Sequence, residues 1–145
     1  MKILIVQANF YHNISSLLLK GAEDYLKQNN YSLEDYLKTN YSYSIITVPG
    51  ALEIPAVIAK LKNQYQGFVA LGCIIRGETS HYDIVCNQSA YGLMKLSVDY
   101  GIAIGNGILT TENEDQAIKR ADPLQYNKGK LAVESCLTVA KITNR

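Results

Sequence analysis

The stretch GFVALGCIIRGETSHYD, residues 67–83, decides the fold. Its first nine residues, Gly67 to Ile75, are apolar without a break, the pattern of a strand buried on both faces. Arg76 to Ser80 then form a short polar loop, and Val85, Leu93, Met94 and Leu96 place a helix over His81 to about Asp99. A strand buried on both faces and followed by a helix belongs to a parallel sheet with helices on either side. Upstream, Lys2 to Ala8 reads as a buried strand with a polar loop through Asn13. Leu17, Leu18, Gly21, Ala22, Tyr25 and Leu26 then recur at helical spacing, with Ser15 or Ser16 as N-cap and Asn29-Asn30 as the stop. Tyr41 to Val48 gives a second strand that ends at Pro49-Gly50, and a helix opens near Leu52 with Pro55 in its first turn. Downstream, Gly101 to Leu109 is a fourth strand, Thr110-Thr111 cap a helix over Glu112 to Ala121, and Asn127 to about Lys141 forms the last helix. Tyr31 to Asn40 is polar and reads as a surface insertion with a turn of helix near Leu33 to Leu37.

The expectation is an α/β domain whose ligands sit beyond the carboxyl ends of the strands. The chain of 145 residues is one domain long, residues 1–145, and can bury a full core without disulfides or a structural metal. Its 48% hydrophobic content excludes a disordered class, and a net charge of +1 with scattered Lys and Arg gives no footprint for nucleic acid. No apolar run approaches membrane-spanning length, and no leader precedes the first strand, so a cytoplasmic location is expected. Cys73, Cys86 and Cys136, spaced 13 and 50 residues apart, form neither a zinc pattern nor a redox pair and read as reduced thiols. Low charge and 11 tyrosines hint at surface covered in an assembly.

The loops after the strands hold the candidates for chemistry. Phe10 either stacks on a planar ligand ring or folds back onto the core. In VPGALEIP, Gly50 permits a close backbone approach, while Glu53 either accepts from ligand hydroxyls or complements the helix dipole. In RGETSHYD, Gly77, Glu78, Thr79 and Ser80 lead into a helix N-terminus, an arrangement suited to an anion, with His81 in reach of it. The plainer reading makes Thr79 or Ser80 an N-cap and His81 a surface residue. His12 is a rim residue without an evident partner. Arg120 and Lys128 suit a phosphate but lie on helices beside the domain, where they either face solvent or reach a neighbouring molecule. The acids from Glu112 to Asp115 fit a first helical turn.

Taken together, VPGALEIP at 48–55, ALGCIIRGETSHYDIVCNQSAYGL at 70–93 and NGILTTENEDQAIKRA at 106–121 resemble the lumazine synthase family. The resemblance implies a flavodoxin-like three-layer αβα sandwich with a four-stranded parallel sheet. It also implies a homopentamer with active sites between adjacent subunits, and the penultimate reaction of riboflavin biosynthesis, run without cofactor or metal. There, 5-amino-6-(D-ribitylamino)uracil condenses with 3,4-dihydroxy-2-butanone 4-phosphate to give 6,7-dimethyl-8-ribityllumazine, phosphate and water. By the same resemblance, Phe10 stacks on the pyrimidine, Ala51, Leu52 and Glu53 hold the ribityl chain, and Cys73, Ile74 and Ile75 line the pyrimidine pocket. Glu78 and Thr79 receive the phosphate through their amides, His81 transfers protons, and Arg120 of the next subunit completes the phosphate clamp with Lys128 nearby.

Two departures bear on this. Many relatives carry an aromatic residue where this chain has Asn106, which makes the cover over the pyrimidine polar. The segment ADPLQYNKG replaces the Gly-rich kink of shell-forming members, and their N-terminal extension is lacking, so pentamers are expected instead of shells. The competing readings are a flavin-binding or ribityl-binding module of the same fold, a structural assembly protein, and a riboflavin synthase. Glu53, His81 and Arg120 together favour the synthase of lumazine, since a binding module needs no phosphate clamp.

Overall fold

Side chains alternate along the first strand, β1 (Lys2–Ala8), so that two separate cores form on its opposite faces. Ile3 and Ile5 pack with Ile14, Leu18, Ala22 and Leu26 of helix α1 (His12–Gln28). Leu4, Val6 and Ala8 pack on the other face with Ile54 and Ile58 of helix α2 (Ile54–Leu61). The structure, a computed structural model, describes residues 1–33 and 40–143. The remaining elements are strands β2 (Ser32–Leu33), β3 (Ser42–Val48), β4 (Gly67–Ile75) and β5 (Ile104–Thr111), and helices α3 (His81–Tyr100), α4 (Glu114–Ala121) and α5 (Lys128–Thr143). Every strand pairing is parallel, in the order β2-β3-β1-β4-β5.

β4 is the predicted doubly buried strand, with Val69, Leu71 and Cys73 in the first core and Phe68 and Ala70 in the second. Helices α4 and α5 join α1 on the first face through Ala117, Ala121, Ala132, Val133, Cys136 and Leu137. Leu93 and Leu96 of α3 join α2 on the second. A parallel sheet flanked by helices is thus present and is consistent with a flavodoxin-like arrangement.

The expected four strands are corrected to five among the described residues. After Asn30, which adopts a left-handed φ of 66°, Ser32 and Leu33 pair with Ser42 and Tyr43 at the sheet edge. A two-residue strand is too short to show a period of two, so the segment read as polar loop. Nor is Tyr31 part of a surface insertion, since it is buried in the first core and its ring packs edge-to-face on Tyr41, 5.3 Å between centroids. The remainder of the helical turn expected near Leu33 to Leu37 lies outside the described residues.

Three boundaries also move. Helix α1 begins at His12, because Ser15 is buried and donates to the carbonyls of Ala8 (2.8 Å) and Tyr11 (3.0 Å) instead of capping. Gly101, with φ of 65°, closes α3 in the left-handed region, so β5 starts only at Ile104. Asn113, not the Thr110-Thr111 pair, caps α4 by accepting from the Gln116 amide at 2.9 Å.

β1 is followed by β3 on one side of it, and β4 lies on the other. The order reverses at that point, which opens a crevice beyond the carboxyl ends of β1 and β4.

Candidate active site

The end of each central strand contributes one wall of this crevice. The amide of Asn9 donates to the Val48 carbonyl at 3.0 Å, which brings the loops after β1 and β3 together. Ser15 anchors the intervening turn to Ala8 and Tyr11, so Phe10 stands at the rim, 73% exposed and edge-on to Tyr11 at 5.0 Å. Of the two readings open for Phe10, folding back onto the core is excluded by that exposure. His12 remains outside the crevice lining, with its Nδ1 3.0 Å from the Asn9 Oδ1.

After β3, Pro49 and Gly50 lead into a single 3-10 turn, Ala51–Glu53, closed by the Glu53 amide on the Gly50 carbonyl at 3.3 Å. A Cβ on residue 50 would lie 3.0 Å from the Glu53 Oε2, so glycine leaves that carboxylate its place at the cavity wall. Ala51 is buried, while Leu52 and Glu53 are exposed toward the opening. Pro55 fits the start of α2, where a missing amide hydrogen costs no helical bond.

The floor is the end of β4. Cys73 and Ile74 are buried and Ile75 half-buried. Burial pushes the Cys73 thiol up to about 11, with the Thr111 hydroxyl beside it opposing the shift, so the sulfur is a neutral apolar surface near pH 7. The 77–81 loop closes the far side through Gly77, Thr79 and His81. Thr79 Oγ1 accepts from the His81 amide at 3.3 Å, and Ser80 makes no side-chain cap, so the hydroxyl capping expected here is supplied by Thr79 alone. Glu78 is exposed in the same loop without lining the cavity.

These walls enclose about 420 Å³, ample for a small bicyclic or sugar-bearing ligand. The structure therefore gathers Phe10, Ala51, Leu52, Glu53, Cys73, Ile74, Ile75, Thr79 and His81 in one place. Tyr11, Tyr82 and Val85 line it too and were not singled out from the sequence. Val85 lies four residues after His81 and three after Tyr82 on α3, helical spacing that is the one signal that would have marked it.

Three expected residues are elsewhere. Asn106 is exposed on the edge strand β5, where its Oδ1 accepts from the Ile108 amide at 2.9 Å. Lys128 is exposed at the first residue of α5, and the two line a shallow groove between β5 and α5 with Leu131, Ser135 and Val139. Arg120, in the last turn of α4, donates to the Gln116 carbonyl at 3.0 Å, and its guanidinium carbon sits 5.7 Å from the Tyr126 ring centre. None of the three lines the crevice of its own chain. Among the described residues no three His, Cys, Asp or Glu side chains are placed to hold a metal ion.

A family model for 6,7-dimethyl-8-ribityllumazine synthase matches residues 1–144. The chain is 51% identical to the 6,7-dimethyl-8-ribityllumazine synthase of Bartonella tribocorum, over 99% of this chain and 90% of that protein. It is 47% identical to the enzyme of the same name from Novosphingobium aromaticivorans, over 99% of this chain and 97% of that protein. With 6,7-dimethyl-8-ribityllumazine synthase 1 of Rhizobium meliloti it shares 45% identity, over 99% and 92% of the two chains.

Proposed function

The chain belongs to the 6,7-dimethyl-8-ribityllumazine synthase family, and from that membership we propose how its crevice carries out the reaction. The activity is that of a transferase of riboflavin biosynthesis. Residues 1–145 act as one domain. 5-Amino-6-(D-ribitylamino)uracil lies against the apolar floor of Cys73, Ile74 and Ile75, with Phe10 stacked on its ring and its ribityl chain along Ala51, Leu52 and Glu53. The phosphate of 3,4-dihydroxy-2-butanone 4-phosphate rests on the amides of Glu78 and Thr79. The uracil amine then attacks the ketone and a first water leaves to give the imine, phosphate is eliminated, and ring closure with loss of a second water completes the lumazine. His81 moves protons beside that reacting centre. No cofactor takes part, and most of the acceleration comes from holding two reactants in register.

The observation that carries this reading is the convergence of three sequence-distant loops on one cavity of about 420 Å³. Arg120, Lys128 and Asn106 serve the crevice of the adjacent copy in a homopentamer, which accounts for basic side chains held away from their own cleft. A stripe of Ile84, Tyr91, Met94 and Val98 along α3, each more than half exposed, supports burial of this helix against other copies. The three free cysteines fit a reducing, cytoplasmic setting.

The test is to incubate the protein with both substrates and follow lumazine fluorescence and phosphate release together. Catalysed formation of the two in equal amounts is expected. Binding of the uracil without acceleration would instead favour a binding module.

A further inference from the structure

We propose that Arg76 is a positioning residue that staples the 77–81 loop into the shape that receives phosphate. The inference rests on the reading of that loop as the phosphate cradle. Arg76 is the first residue after β4 and Glu112 the first after β5; the Arg76 amide donates to the Thr111 carbonyl at 3.0 Å, which sets the two side by side. From there the Arg76 Nε donates to the Glu112 Oε2 at 2.7 Å. The same guanidinium reaches across the loop it precedes, with an NH1 contact to Asp83 at 3.4 Å and its carbon 4.2 Å from the centre of the Tyr82 ring. One planar group thus ties both ends of a five-residue loop to each other and to the end of the neighbouring strand.

Any one of these contacts would be weak, since the Arg76, Asp83 and Glu112 side chains are 40%, 54% and 57% exposed. Their value lies in geometry. A guanidinium meets a carboxylate through its fork and a ring through its flat face at the same time, whereas a lysine ammonium offers only a point charge. Arg76 does not line the cavity, so it acts through the loop. The acidic partner Glu112, read from the sequence as complementing a helix dipole, lies before α4 and is engaged by Arg76 instead.

Glu112 also supplies a test of opposite sign. If Arg76 and Glu112 were only charges near an anion site, neutralising Glu112 would tighten phosphate binding. If they hold the loop, neutralising Glu112 loosens it. The experiment compares the whole enzyme with Arg76→Lys, Glu112→Gln and Glu112→Asp, measuring kcat, both KM values, and competition by inorganic phosphate. Arg76→Lys and Glu112→Gln are expected to raise the KM for the phosphate substrate and the inhibition constant of inorganic phosphate by about 10-fold. The KM for the uracil and kcat should stay within about 3-fold, and Glu112→Asp should recover part of the loss. Should Arg76→Lys fail to fold, Glu112→Gln at an exposed side chain decides alone. Unchanged or tighter phosphate binding in Glu112→Gln overturns the staple while leaving the phosphate cradle intact. Inorganic phosphate that does not compete with the butanone phosphate in the unaltered enzyme removes the cradle, and the staple with it.

Discussion

His81 and Arg120 divide the proposed chemistry between them, and their replacement should have different kinetic signatures. His81→Ala should lower kcat by about 10- to 1000-fold, because positioning of the two substrates survives the loss of one proton-transfer group. Arg120→Ala should raise the KM for the phosphate substrate by about 10-fold or more while the uracil KM holds, since one charge-assisted clamp is removed. Steady-state kinetics varying each substrate separates the two, and equal weakening of both substrates by Arg120→Ala would contradict its role. At this scale the sequence was legible where a motif was contiguous. Cys73 to His81 are nine consecutive residues, and Cys73, Ile74, Ile75, Gly77, Thr79 and His81 among them line the cavity, while Glu78 and Ser80 do not. It was mute on Arg76 and Glu112, whose contact spans 36 positions and depends on β4 pairing with β5.

Among the elements, the strands with a full set of apolar neighbours were readable to the residue, as β1 and β4 show. Their ends are fixed by sheet pairing on both sides. Helix starts were less so, because Ser15 spends its hydroxyl on the end of β1, a tertiary contact no local pattern announces. The edge strand β2 was missed for the opposite reason, being two residues held by β3 alone. Burial between these elements has a consequence in alkali. Burial pushes Cys73 up to about 11, Cys136 to about 12 and Tyr31 to about 12, against ordinary values of 9.0 for the thiols and 10.0 for the phenol. All three are raised in the folded state, so the stability they contribute is complete below about pH 9 and is lost as pH rises from about 9 to 12. Tm followed by calorimetry should fall steadily between about pH 9 and 11, and a flat Tm over that window would contradict the burial of these groups.

For the whole molecule, the apolar stripe on α3 and the groove between β5 and α5 leave two faces of each copy to be covered. A charge on the stripe, as in Val98→Glu at a side chain 72% exposed, should shift sedimentation from a pentamer to smaller species, because a carboxylate cannot be buried there without a partner. Particles much larger than a pentamer in the unaltered protein would contradict the proposed pentamer. In the proposed pentamer each site takes its crevice from one copy and Arg120 from the next. The most direct test is to dissociate and reassemble an equal mixture of His81→Ala and Arg120→Ala proteins and assay at low phosphate substrate, where both variants are impaired. Shared sites should return about a quarter of the unaltered activity, since a quarter of randomly formed interfaces pair an intact crevice with an intact Arg120. Activity no higher than the average of the two variants would place His81 and Arg120 in the same copy and contradict a site shared between copies.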